Sequence, residues 1–66
     1  MSEAIKVLEA MLVEHGHAPD LQQAKELVES GVVRVNGHTI RETGMKLGAG
    51  WEYVLHVGMS MTTVRF

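Results

Sequence analysis

Four histidines, eight carboxylates, six Lys and Arg residues and a few hydroxyls are the groups in this 66-residue chain that could do chemistry. His15 and His17 stand two apart in "EHGHAP", while His38 and His56 are remote in sequence. Zinc sites recur at spacings such as HExxH or paired Cys and His, and neither is present, so no metal site is expected. Ser30, Ser60 and Thr62 have no base at motif spacing, so a non-catalytic domain without a cofactor is expected. The carboxylates read as helix-face solvation and dipole compensation, with Asp20 as an N-cap. The cations remain. Arg34 and Arg41 flank Asn36-Gly37, with Lys25 upstream and Lys46 downstream. An arginine offers a planar fork of donors matched to phosphate oxygens, and each phosphate neutralised releases condensed counterions. The chemistry within reach is therefore polyanion binding.

The charge is uneven along the chain. Residues 1–30 carry six carboxylates against two lysines, whereas residues 31–66 carry Arg34, Arg41, Lys46 and Arg65 against Glu42 and Glu52. Acidic helix faces would turn away from phosphate and leave the basic hairpin toward it. The chain has no cysteine, so disulfides and thiolate zinc sites cannot brace it. One domain spanning 1–66 is expected, with a thin core, since a domain of this size hides only ~60% of its unfolded surface. No apolar run approaches a membrane span, and the amino terminus lacks a basic signal region, so a soluble cytoplasmic protein is expected.

Certain elements must hold the cations in place. Ala4, Ile5, Leu8, Met11 and Leu12 recur at spacings of three and four, which predicts a helix over 3–15 ended by Gly16. Asp20 with Gln23 three residues on begins a second helix, whose apolar face is Leu21, Ala24, Leu27 and Val28 and whose C′ residue is Gly31. The period then becomes two. Val33 and Val35 point one way and Arg34 the other, until Asn36-Gly37 supplies a type I′ turn. His38–Ile40 returns, Met45–Leu47 is a short extended piece, and 51–57 and 62–66 are strands joined at Gly58. Trp51 and Tyr53 share a strand face and, as the largest apolar volumes available, are expected in the core rather than stacked on a base. Met59 and Met61 are expected to pack or to sit in a turn.

Helix, Gly-containing loop, capped helix ending in Gly, then "VVRVNG" and a returning strand resembles the S-four (S4-type) RNA-binding domain, also called the alpha-L motif. Residues 5–57 cover that pattern, and "AKELVESGVVRVNG" is its most specific piece. The resemblance implies an α+β fold, two N-terminal helices on a small, mainly antiparallel sheet, and binding of structured RNA, either tRNA or rRNA. The closing "EYVLHVGMSMTTVRF" is similar to the carboxyl-terminal domain of bacterial tyrosyl-tRNA synthetases, which implies a tRNA ligand and a catalytic domain in the parent chain. Arg34, Asn36, Lys25 and Arg41 would be the main RNA contacts, with His17, His38, Lys46 and Arg65 secondary.

A competing class is a protein-interaction or assembly module on the same fold with eroded RNA contacts. The family commonly has Ser-Arg at the start of the second helix, where this chain has Asp20 and Leu21, with Glu26 following Lys25. Met59, Ser60 and Met61 stand where the synthetase tail is rich in Lys. Acids repel phosphate, and methionines suit adaptable apolar contacts.

Overall fold

The structure is a computed structural model that describes residues 5–65. In chain order these residues form β1 (Ile5–Val7), α1 (Leu8–Glu14), α2 (Leu21–Ser30), β2 (Val33–Val35), β3 (His38–Thr39), β4 (Lys46–Gly48), β5 (Glu52–Val57) and β6 (Ser60–Arg65). Strands β1 and β4 make a two-stranded antiparallel sheet, and the other four make an antiparallel sheet of order β3-β2-β5-β6. The class is α+β, as expected.

The second helix forms as its sequence dictates. Asp20 has extended backbone and its Oδ1 accepts the Gln23 N–H at 2.9 Å, while Gly31 closes the helix at φ +85°. A Cβ at Gly31 would lie 2.5 Å from Arg41 Nη1, so both the left-handed backbone and the approach of Arg41 favour glycine. Asn36 (φ +52°) and Gly37 (φ +86°) make the two-residue hairpin turn between β2 and β3. Gly58, with positive φ, and Met59 make a second such turn between β5 and β6.

The core is one cluster fed by nearly every element: Leu8, Met11 and Leu12 of α1, Ala24 and Val28 of α2, Val33 and Val35 of β2, Leu47, Leu55 and Val64. Both helices therefore lie on one side of the four-stranded sheet. By strand alternation Arg34, Val54, His56, Met61 and Thr63 point to the other side, which no described element covers.

Four expectations need correction. The helix read over 3–15 is split: Ile5–Val7 is a strand paired with Lys46–Gly48, and the helix starts only at Leu8, whose N–H donates to Met45 O at 2.8 Å. Residues 3 and 4 lie outside the described residues. Spacing of three between Ile5 and Leu8 fits a helix, but a partner strand some forty residues away gives the backbone a better alternative. Trp51 is 68% exposed rather than core, because β5 begins one residue after it, past the end of the packed layer. Tyr53 is half-buried against the core, and its hydroxyl donates to Gly48 O at 2.8 Å, linking the two sheets. Glu9 is not a solvated helix-face acid. It is 2% exposed, and its carboxylate accepts the Gly44 N–H at 3.1 and 3.2 Å, fastening the loop before β4 to the first turn of α1. The last strand runs Ser60–Arg65, two residues earlier than expected, and Phe66 lies outside the described residues.

Candidate nucleic-acid interface

Strand β2 buries Val33 and Val35 and so must turn Arg34 outward. Register then fixes its neighbours on the open face, with Thr39 of β3 on one side and His56 of β5 on the other. His56 is half-buried, and its Nδ1 lies out of solvent with no hydrogen-bond partner among the described residues. Beyond His56 the row ends at Met61 of β6. Arg34 is exposed, and no carboxylate among the described residues lies within ion-pair distance of it.

Asn36, two residues on, anchors the turn. Its N–H donates to Val54 O at 2.8 Å and its Oδ1 accepts the Val54 N–H at 2.8 Å, which extends the β2–β5 ladder beyond Val35. The amide oxygen is thus engaged in the fold, and the side chain's NH2 is the group left to meet a ligand. His38 is exposed on β3 opposite the buried Val35, so it lies on the helix side of the sheet while Arg34 lies on the open side.

Arg41 reaches back across the end of β2 and lays its guanidinium on Gly31, at the C-terminus of α2. A cation there meets the negative end of the helix dipole. Lys25 is exposed on α2, next to the buried Ala24. The hairpin cations Arg34 and Arg41, with Asn36 and His38, therefore come from one continuous segment, and Arg41 links it to the end of α2.

The other expected contacts are placed elsewhere. His17 Nε2 lies 2.9 Å from Thr62 Oγ1, and Thr62 is opposite the buried Leu55, so His17 sits on the helix side of the sheet and Arg34 on the open side. Lys46 is exposed on β4 of the small sheet, opposite Val7. Arg65 stands opposite Glu52 near the far end of β6. It is two strands across and four residues along from the Arg34 row, about 16 Å by sheet geometry. The structure does not gather these three at the hairpin.

Sequence reading missed His56 as the neighbour of Arg34. Alternation within β5 places His56 opposite in sense to Leu55, but only the β2–β5 register, over 22 positions of sequence, puts it beside Arg34. Exposed Trp51 was also missed as a surface group. The strand start that decides its exposure has no local sign beyond the Gly48 and Gly50 that precede it. Among the described residues no group of three or more His, Asp or Glu side chains is arranged to hold a metal ion. None of their helices is long and apolar enough to cross a membrane.

Comparison with protein families adds one finding: the S4 domain model matches residues 8–51, from the first residue of α1 to the residue before β5. The β5–β6 hairpin lies outside the matched segment. No curated protein and no solved structure matches the chain. Domains of the S4 type are RNA-binding rather than catalytic modules.

Proposed function

Because the chain belongs to the S4 domain family, whose members bind RNA, we propose that it recognises structured RNA, specifically a tRNA, from the face bearing the β2–β3 hairpin. The observation that carries this reading is Arg34: exposed, held outward by the two buried valines beside it, and without an acidic partner within 4 Å among the described residues. Its fork takes a phosphate. The Asn36 NH2 donates to ribose or phosphate oxygens on the same strand, and Arg41 extends the contact toward α2, while His38 and Lys25, on the helix side of the sheet, meet only a ligand that wraps around the hairpin. His17, Lys46 and Arg65 contribute only through the longer-range field, since each lies away from the hairpin. The tRNA assignment rests on the similarity of the closing segment to the synthetase appendage, in whose setting a catalytic domain in the same parent chain would act on the bound tRNA.

Fluorescence anisotropy with a tRNA, with an RNA duplex of equal charge as reference, tests this. Contact with three phosphates predicts a loss of affinity of roughly 20- to 40-fold between about 50 and 200 mM salt. Arg34→Ala should lower the salt slope by about one. Tighter binding of the tRNA than of the duplex supports the tRNA assignment, and equal binding rejects it. Salt-insensitive binding, or an Arg34→Ala protein with unchanged slope, rejects the hairpin as the interface.

A further inference from the structure

Strand β6 is a long, undefended sheet edge. Three hydrogen bonds fix which way β5 faces: Asn36 N–H to Val54 O, Val54 N–H to Asn36 Oδ1, and Gly58 N–H to Val32 O. Even-numbered residues of β5 thus bond toward β2, so Tyr53, Leu55 and Val57 bond toward β6, and their opposites Val64, Thr62 and Ser60 turn their backbone groups inward. The N–H and C=O groups of Met61, Thr63 and Arg65 therefore face the open edge, with no strand beyond them among the described residues.

Natural edges are blunted by bulges, prolines, lysines or extreme shortness. Strand β6 has none of these. Its six pairs with β5 run without interruption from Ser60 to Arg65, it contains no proline, and its one charge is Arg65 at the end. The opposite edge, β3, is only two residues long. Met61 is 64% exposed beside the β6 edge, and Met59 at the turn is fully exposed.

We propose that a second copy of this chain pairs antiparallel with β6, joining two four-stranded sheets into one of eight strands. Three features favour a copy over another partner. Antiparallel pairing of a strand with itself is isologous and closes after two chains. The register is also set, because opposed residues must share both face and bonding direction. Placing Thr63 opposite Thr63 of the partner subunit sets Met61 against Arg65 of the partner subunit and Arg65 against Met61 of the partner subunit. All three outward-facing residues of each strand then bond, and each arginine stem lies along a methionine. No like charges meet, since Arg65 is the only charge on the strand. Pairing of β6 with β3 of another copy would offer two residues of ladder, too few to hold a register.

Sedimentation velocity over a concentration series, with circular dichroism as a check on folding, tests the proposal without RNA. It is thus independent of the RNA-binding reading. The chain should shift from its 7.3 kDa monomer toward twice that mass as concentration rises. Thr63→Pro removes an N–H that the monomer ladder does not use, and Met61→Lys sets a second cation against Arg65 of the partner subunit. Each should weaken the dimer at least tenfold while leaving the spectrum unchanged. A chain that stays monomeric throughout the series, or a dimer of equal strength in both folded variants, overturns the proposal.

Discussion

Arg34 and Asn36 sit two residues apart and do different jobs, and mutations separate them. Asn36 supplies both a φ of +52° and an acceptor for the Val54 N–H. Asn36→Ala should cost about 1–2 kcal/mol in urea unfolding, since the acceptor is lost and alanine disfavours the left-handed backbone. Arg34→Ala removes no contact that the fold uses and should change stability by less than about 0.5 kcal/mol, while weakening RNA binding. Gly31 and Arg41 form a second pair. Gly31→Ala should cost about 1 kcal/mol, mostly from the backbone at φ +85°, because the guanidinium it meets is the far end of a flexible side chain and can move aside. Thermal melts of Gly31→Ala with and without Arg41→Ala would show this: the double variant should lose little more than the single. At this scale the sequence spoke clearly wherever a residue's own backbone preference decides the outcome, as for Asp20, Gly31 and Asn36-Gly37. It misplaced Glu9 as a solvated acid and His17 as a contact beside the hairpin, because their partners Gly44 and Thr62 lie 35 and 45 positions away.

At the scale of elements, the same division holds between local and distant causes. Helix α2 was legible because caps and apolar face lie within ten residues. Strand β1 was not, because its hydrogen bonds come from β4, and each strand is only three residues long. Trp51 followed the alternation of β5 in sequence but falls outside the strand, so parity said which way it would point and not how deep it would lie. The loop between β3 and β4 is held by Glu9, whose carboxylate receives the Gly44 N–H and sits in the first turn of α1, where a negative charge is favoured. Thr39 of β3 and loop residues 40–45 wrap a concavity of about 430 Å³. Glu9→Ala should cost roughly 1–3 kcal/mol by leaving a polar group unpaired. Hydrogen exchange should then show faster exchange of the Gly44 amide than global unfolding explains, and unchanged exchange there would remove Glu9 as the anchor.

For the whole molecule, the arrangement is two-sided. The helices cover one face of the main sheet, and the exposed carboxylates Glu26 and Glu29 lie on α2. The other face presents Arg34 and His56 with no helix over them. An acidic total charge of −2 is thus compatible with binding a polyanion, since what a ligand meets is the local surface. The extents of 35 × 22 × 20 Å leave room for few contacts, so affinity should be modest and dominated by phosphate.

Whether the hairpin meets RNA is read residue by residue in a titration of the isotopically labelled chain with a tRNA, followed by amide chemical-shift mapping. The largest changes should cluster on the β2–β3 hairpin and the two residues after it, residues 33–41, and on the open-face neighbour His56, and should fade when salt is raised. Changes centred on α1 and the His17 loop, or none at concentrations where the tRNA is in excess, would contradict it.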